Sequence, residues 1–232
     1  MELFNLIDVS KEHNLGSVKL KSLNKLNLTV EAGRITSITG PEAAGKSRLV
    51  HLLSFNDTAT HGTIEYKGRQ VARLDEKMIS KIRTCEIGLI PQSFHLNSTI
   101  SILDNVSMVA KIMGQDNWVA QEKAEHWLES MGLQDCMNEF PIELRLLEFK
   151  KVGIAKAMMR EPDVLICDDL YQHMSDQECE EAGSLLVNLN RDHGITVVQT
   201  ARTEDLTKGS DVYYELHNGY CTSKRSSSFH AA

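Results

Sequence analysis

Eight consecutive residues near position 40 have the types and spacing of a phosphate-binding loop. They satisfy the pattern G-x-x-x-x-G-K-[ST] in full and are Gly40, Pro41, Glu42, Ala43, Ala44, Gly45, Lys46 and Ser47. In such a loop the backbone N–H groups converge on phosphate oxygens, the lysine adds a mobile positive charge, and the serine hydroxyl can bind Mg²⁺. The alternative interpretation is an ordinary turn that contains glycine.

The segments on both sides of this loop favour the phosphate-binding interpretation. Residues 34–39 are rich in β-formers, and residues 48–53, which begin with Arg48, have the apolar spacing that opens a helix. The first N–H groups of a helix have no intrahelical partner and attract anions. The sequence therefore predicts a site for a nucleoside triphosphate, with residues 40–48 as its binding residues.

Two adjacent carboxylates form a second candidate site. Asp168 and Asp169 follow the apolar run 163–167, which predicts a buried strand. A P-loop NTPase needs an acidic residue at a strand end near Mg²⁺, so we assign Asp168, together with Ser47, as a metal ligand; a simple strand terminus is the alternative. Many P-loop ATPases carry a glutamate at the position of Asp169, where it orients the attacking water. Aspartate is one methylene shorter, so we expect Asp169 to be a poor catalytic base.

Composition and charge limit the classes of protein to consider. A chain of 232 residues fits one large α/β domain. The net charge of −7 argues against a general nucleic-acid binder, and we interpret small basic clusters such as Lys150/Lys151 as solvated helix faces. Five scattered cysteines without C-x-x-C spacing favour reduced cytosolic thiols. We expect no signal peptide and no membrane-spanning segment, so action at a membrane would require docking on another subunit.

Periodicity predicts a parallel core sheet with a helical insertion. Strand-like runs occur at 26–30, 62–68, 86–92, 163–169 and 194–200. Apolar residues at helical spacing over 120–131, with Gly132 placed as a C-cap, and a second helical run over 150–159 lie between them. Strands that alternate with helices imply a parallel sheet. We expect the last residues, 226–232, to be a frayed tail.

The order of these motifs resembles the nucleotide-binding subunits of ATP-binding cassette (ABC) transporters. The resemblance covers about residues 2–221 and is greatest to the compact bacterial group that serves lipoprotein release, macrolide export and cell division. It rests on the loop at 40–47, the Pro-Gln pair at 91–92, the acidic strand end, and the segments 9–13, 50–53 and 102–106. Residues 151–159 are similar to the R-V-A-I-A-R-A-L helix of that family.

The resemblance implies a fold, cofactors and partners. The fold would be a single ABC-type domain over residues 1–225, in which a P-loop α/β core carries an antiparallel β-subdomain and an inserted helical subdomain at about 95–160. The cofactors would be ATP and Mg²⁺. His13 stands where the family has an adenine-stacking aromatic, and Gln92 matches a glutamine that contacts Mg²⁺ and relays to the membrane subunit. A surface glutamine with no such role is the alternative for Gln92.

Several family motifs are replaced in this chain. The signature L-S-G-G-[QE] reads Leu-Arg-Leu-Leu-Glu at 144–148, and the leucines at 146 and 147 are expected to block approach to the γ-phosphate held by the other subunit. The interface aspartate is Ser175 or is shifted to Asp176, and the switch histidine is Ala201. The loop also has Ala43 for a usual glycine and Arg48 for a usual threonine. Such losses remove transition-state contacts and spare most ground-state contacts, which predicts binding without efficient turnover; tolerated variation in a working ATPase is the alternative.

Two functions are consistent with these residues. The first is a cytoplasmic ATP-binding subunit, peripheral on the inner face of the cell membrane, that docks on integral membrane permease subunits. It would form a homodimer or a heterodimer with another nucleotide-binding subunit, with hydrolysis weak or lost. The second is a non-catalytic regulatory or assembly protein, a pseudo-ATPase that uses the ABC fold as a binding platform.

Overall fold

The computed structural model of the chain describes residues 1–15 and 18–224, which form two sheets and six α-helices. The strands are β1 (Glu2–Leu15), β2 (Val18–Glu31), β3 (Ile35–Thr39), β4 (His61–Tyr66), β5 (Arg69–Gln70), β6 (Ile87–Ile90), β7 (Val164–Cys167), β8 (Thr196–Ala201), β9 (Val212–His217) and β10 (Tyr220–Lys224). The helices are α1 (Lys46–Leu53), α2 (Glu76–Cys85), α3 (Ile102–Ile112), α4 (Asn117–Ser130), α5 (Leu146–Met158) and α6 (Asp176–His193).

The larger sheet has the order β10-β9-β3-β8-β7-β6 and is parallel except for β10, which pairs antiparallel with β9. Strands β3, β7 and β8 are buried along their whole length because apolar layers cover both faces. Alternate residues show this: Leu165 of β7 packs into a core with α3–α6, whereas Ile166 packs into a core with α1, β1 and β2. The predicted parallel sheet is confirmed.

The smaller sheet is antiparallel, with the order β2-β1-β4-β5, and its apolar side packs with α1. Phe4, Phe55 and Tyr66 form an aromatic cluster in that core, with ring centroids 4.9–6.0 Å apart. The predicted fold class, an α/β core with an antiparallel β-subdomain and an inserted helical part, is confirmed.

The helical block contains α3, α4 and α5. Helix α4 agrees with the predicted apolar stripe, and Gly132 follows its C-cap in the left-handed conformation, with φ 70°. The second run begins four residues earlier than predicted, at Leu146. Sequence analysis missed α2 and the β9–β10 hairpin. The tail at 226–232 lies outside the described residues, and the domain limits stay a prediction.

The parallel order positions the candidate site. The carboxyl ends of parallel strands meet at one edge of a sheet, where open α/β folds bind ligands. The loop at 40–45 follows β3, the Pro-Gln pair follows β6, the two aspartates follow β7, and Ala201 ends β8. Residues that are far apart in the chain are thereby brought to a single edge.

Candidate nucleotide-binding site

The phosphate-binding loop connects β3 directly to α1. Ala43 and Gly45 adopt left-handed conformations with φ 60° and 107°. A Cβ atom at position 45 would lie 2.6 Å from the carbonyl oxygen of Ser22, so only glycine fits there. No side chain caps the N-terminus of α1 within the described part of the chain. The first N–H groups of this helix are therefore available to an anion.

A cavity of about 340 Å³ collects most of the predicted site residues. Residues 42–48 form one wall, and Gln92, Asp168 and Asp169 lie on the other side, with Ser22 at the edge. Gly40 and Pro41 contribute backbone to the loop without lining the cavity. His13 does not line it either; its Nε2 atom is buried with no hydrogen-bond partner among the described residues.

Lys46 is buried beneath the loop. Its ammonium donates hydrogen bonds to the carbonyl oxygens of Gly40, at 2.5 Å, and Pro41, at 2.8 Å. Burial lowers the pKa of Lys46, and the negative charges of Asp169 and Asp168 oppose that shift. The side chain thus lies between the loop and the two aspartates, where its charge can meet a phosphate.

The two aspartates share Thr200 of β8 as a hydrogen-bonding partner. The Thr200 hydroxyl donates to Oδ1 of Asp168 at 3.0 Å and accepts from the backbone N–H of Asp169 at 2.8 Å. Asp168 is only 4% exposed. Burial raises the pKa of the Asp169 carboxyl, Lys46 lowers it, and the neighbouring charge of Asp168 raises it further. Thr200, which sequence analysis did not single out, therefore orients the acidic pair.

The oxygen-donor set suits Mg²⁺ better than a softer metal. A hydroxyl (Ser47), a carboxylate (Asp168) and an amide (Gln92) are hard oxygen donors, and Mg²⁺ is commonly held by few protein ligands together with waters and substrate phosphates. Within the described residues no group of three or more His, Cys, Asp or Glu side chains could hold a metal by itself. The amide nitrogen of Gln92 donates to Oε1 of Gln172 at 2.9 Å, which leaves the amide oxygen for another partner.

The side chain of Lys150 is buried. It is 6% exposed, so the expectation that Lys150/Lys151 form a solvated helix face is wrong for Lys150. Its ammonium donates to the carbonyl oxygen of Gln92 at 3.0 Å and lies 5.9 Å from the ring centroid of Phe94. Burial lowers the pKa of Lys150, while Asp169 raises it. This buried cation therefore connects helix α5 to the segment after β6. The sequence alone does not distinguish Lys150 from its neighbour Lys151, which pairs with Glu181.

The replaced motifs have structural roles of their own. Leu147 is 9% exposed and packs in the core, so the expectation that it blocks approach to a γ-phosphate is wrong. Leu146 is half-buried and Arg145 is exposed, so both lie nearer the surface. Ser175 caps α6 by accepting from the N–H of Glu178, and Asp176 is the first residue of that helix. Ala201 is fully buried.

Arg202, the residue after Ala201, reaches the phosphate-binding loop. Its guanidinium forms an ion pair with Glu42. It is also close enough to Asp169 to lower the pKa of that carboxyl, after the larger effects of burial, Lys46 and Asp168. Sequence analysis missed this contact because 160 residues separate the two partners.

A family profile described as "ABC transporter" matches residues 23–172 of this chain. The chain belongs to the ABC transporter family. An uncharacterized ABC transporter ATP-binding protein of Methanocaldococcus jannaschii is 31% identical over 212 residues, which cover 91% of this chain and 94% of that protein. The lipoprotein-releasing system ATP-binding protein LolD of Oleidesulfovibrio alaskensis is 30% identical over 217 residues, 94% of each chain.

Longer ABC proteins and solved cassettes are also similar. The macrolide export ATP-binding/permease protein MacB of Psychrobacter arcticus is 31% identical over 210 residues, and the match covers 31% of that longer protein. The dimeric ATP-binding cassette MJ0796, solved in a post-hydrolysis state with ADP and phosphate, superimposes with a TM-score of 0.86 over 99% of this chain and 100% of its own, at 24% identity. The predicted family is confirmed. In the described part of the ABC chain, no helix is long and apolar enough to cross a bilayer.

Proposed function

We propose that this ABC protein binds Mg²⁺-ATP in the cavity between the phosphate-binding loop and the aspartate pair. The observation that carries the proposal is the open N-terminus of α1, framed by Lys46 and facing Asp168 across one cavity. Backbone N–H groups of residues 43–47 would hold the phosphates, and Lys46 would neutralise their charge. Ser47, Asp168 and the amide oxygen of Gln92 would complete the shell of a Mg²⁺ ion that neutralises the remaining phosphate charge.

We further propose that ATP is hydrolysed slowly or not at all. The carboxyl at the position of the catalytic base is Asp169, whose reach is one methylene short. Burial raises the pKa of Asp169, which makes its carboxylate a somewhat stronger base but does not restore the missing reach. Ala201 has no group that can contact a phosphate. Binding without efficient turnover is the expected result.

The protein would act as a peripheral subunit on the cytoplasmic face of a membrane, docked on an integral membrane permease. Similarity to ATP-binding proteins of export and release systems supports this role. Pairing with a second nucleotide-binding subunit, as a homodimer or heterodimer, is supported by the dimeric cassette of the same fold. The non-catalytic platform function remains the second candidate because the replaced motifs favour it.

Two measurements test the proposal together. Isothermal titration of the purified chain with Mg²⁺-ATP should give saturable heat, and the absence of heat at millimolar nucleotide would refute nucleotide binding. Affinity recovery from native membranes in mild detergent should retain an integral membrane protein with this chain. Recovery of soluble partners alone would favour the platform function.

A further inference from the structure

Helix α2 and the residues just before it form a positively charged surface segment. Residues 67–83 contain six basic and two acidic residues, in a chain whose net charge is −7. Arg69, Arg73, Lys77 and Lys81 of this segment are exposed, and none of the four forms an ion pair within the described part of the chain. The segment therefore has a local charge opposite to that of the whole molecule.

The two acidic residues of the segment do not share the exposed side of α2. Lys77 and Lys81 are four residues apart and so lie on one face of the helix, with Met78 beside them. Glu76 instead lines the cavity beneath the helix. The carboxylate of Asp75 accepts from the backbone N–H of Met78 and thereby caps the helix. The outward side of α2 is consequently basic without interruption.

A third cation on this side comes from β5. Arg69, Met78 and Lys81 line one cavity of about 360 Å³ between β5 and α2. We call the set Arg69, Lys77, Met78 and Lys81 the basic face. Met78 is 40% exposed, so the basic face combines three cations with an apolar side chain that is open to solvent.

Other lysines of the fold have acidic partners. Glu86 lines the same cavity between β5 and α2, but it accepts from Lys67 at 2.6 Å. On α5, Lys151 pairs with Glu181 at 2.5 Å. Like charges one helical turn apart disfavour a helix slightly, and here no acid of the described chain offsets them. The charge of the basic face is better explained by an anionic partner from outside the chain.

Helix α2 is also packed less firmly than the other helices. It has no buried residue, whereas each of the other five described α-helices buries at least four. Its inner side borders a cavity of about 450 Å³ that is lined by apolar side chains, among them Phe55, Val71 and Ile79. Little core packing is therefore lost if α2 settles on another surface. A basic polar side and a weakly committed apolar side are typical of helices that lie at a membrane interface.

An anionic bilayer fits the basic face better than a nucleic acid does. The negative surface potential of anionic lipids attracts lysine and arginine side chains near the surface. Met78 can enter the boundary between headgroups and acyl chains, where burial of an apolar side chain is favourable, whereas a phosphate backbone offers no such gain. The acidic remainder of the chain would also repel a long nucleic acid.

We propose that the basic face binds the surface of a bilayer that contains anionic lipids. Arg69, Lys77 and Lys81 would lie at the headgroups, with Met78 inserted between them. This inference rests on the proposed function for the location at a membrane. It adds a contact with lipid that needs no permease and that would orient the chain on the membrane surface.

Vesicle flotation of the full chain tests the inference. The probe is a vesicle of phosphatidylcholine with about one-third phosphatidylglycerol, and pure phosphatidylcholine is the uncharged control. We expect binding to the anionic vesicles only, and its loss when the salt concentration rises from about 0.1 M to about 1 M. Arg69→Gln/Lys77→Gln/Lys81→Gln should lower the partition constant by about tenfold to a hundredfold, because each cation near an anionic surface contributes up to about fivefold.

A matched variant separates the basic face from total charge. Lys25→Gln/Arg191→Gln/Lys208→Gln removes the same three charges from exposed positions elsewhere and should bind the anionic vesicles as well as the parent chain. Unaltered ATP titration and melting temperature show that each variant is folded.

A fluorophore on Cys85 reports which side of the protein meets the bilayer. Cys85 lies one turn after Lys81 on α2 and is exposed, so it extends the basic face. In a Cys136→Ser/Cys221→Ser background, a polarity-sensitive label on Cys85 should shift to shorter wavelength when anionic vesicles are added. A label on Lys208→Cys, with Cys85→Ser in the same background, should not shift.

Failure of the inference differs from failure of the proposed function. Several outcomes would overturn the lipid contact: no binding to anionic vesicles at low salt, equal loss of binding in the two triple variants, unchanged fluorescence of the label on Cys85, or tighter binding to a DNA duplex than to the vesicles. Recovery of a permease with the chain would leave the proposed function intact in each case. Vesicle binding through the basic face, together with affinity recovery that contains no membrane protein, would support the lipid contact and count against the permease role.

Discussion

The N-termini of α1 and α5 make a direct comparison, because the family resemblance implies that each one faces a phosphate. Helix α1 begins after Gly45, which is left-handed, and no side chain caps it in the described structure. Helix α5 begins after Arg145, whose backbone N–H donates to Glu148 at 2.8 Å and whose guanidinium contacts the same carboxylate at 2.7 Å. The first helix end is open to an anion, and the second is occupied by its own acid.

This difference has an electrostatic consequence. Glu148 places a negative charge at the end of α5 where a phosphate would otherwise interact with the helix dipole. The hydrogen bond from Arg145 holds the pKa of Glu148 below its usual range. The N-terminus of α1 has no side-chain cap in the described structure, whereas the N-terminus of α5 is capped by its own glutamate. The family signature itself allows glutamate at position 148, so the departure at this end of α5 is Arg145, which pairs with Glu148.

The largest expected effect concerns turnover. We expect the unmodified protein to hydrolyse ATP at least about a hundredfold more slowly than the variant Arg145→Ser/Leu146→Gly/Asp169→Glu/Ala201→His, because single contacts of this electrostatic kind contribute about 10²–10³ in rate elsewhere. Leu147 is left in place, since its removal would open a cavity in the core. Steady-state phosphate release measures the rate.

The control for turnover is Asp168→Asn, which should abolish the activity of the modified protein. Brisk turnover by the unmodified chain that is lost on Asp168→Asn would contradict the comparison, because it would show that the replaced motifs are tolerated.

Lys46→Ala tests the open helix end. We expect ATP affinity to fall by about tenfold to a hundredfold, in line with the 1.5–3 kcal/mol typical of a hydrogen bond to a charged group. Titration calorimetry measures the change, and Lys77→Ala, an exposed lysine of α2, is the control. Equal affinity in Lys46→Ala and the parent would remove this lysine from the site.

The Arg202–Glu42 ion pair offers a finer test of the same region. Arg202→Ala leaves the carboxylate of Glu42 unpaired beside the phosphates, so we expect ATP affinity to fall about threefold to fivefold, the scale of an exposed ion pair. Glu42→Gln should raise affinity slightly, and Glu42→Gln/Arg202→Ala should return it near the parent value. A double variant as weak as Arg202→Ala would instead mean that the guanidinium contacts the nucleotide itself.

The smallest expected effect is on stability. Ala43 is exposed and has φ 60°, a conformation that glycine adopts without strain. Ala43→Gly should stabilise the fold by about 0.5–1 kcal/mol. The change removes the steric cost of the left-handed conformation, and the greater conformational freedom of glycine in the unfolded chain offsets part of that gain. Thermal unfolding should show a rise of about 2 °C. Ala72→Gly, at an exposed position within a helical turn, should lower the melting temperature instead.

Local patterns determined much of this molecule before any tertiary contact was considered. The phosphate-binding loop, the strand before it and the helix after it occur at the predicted positions, since the glycine positions and the change in apolar spacing are properties of adjacent residues. The two aspartates that follow β7, Asp168 and Asp169, were predicted from adjacent residues in the same way. Helix α2 was missed because it is only ten residues long and mostly polar, although its apolar residues Met78, Ile79 and Ile82 have helical spacing.

Tertiary structure alone decided the remaining features. Lys150 and Lys151 are adjacent and chemically alike, yet one is buried against the Gln92 carbonyl and the other pairs with Glu181 at the surface. The ion pair of Glu42 with Arg202 and the meeting of Arg83 with Lys156 and Arg160 join residues more than 70 positions apart. Sequence specifies which side chains are present and which local conformations are allowed. The packing of helices on the parallel sheet decides which charges lose water and which partners they then meet.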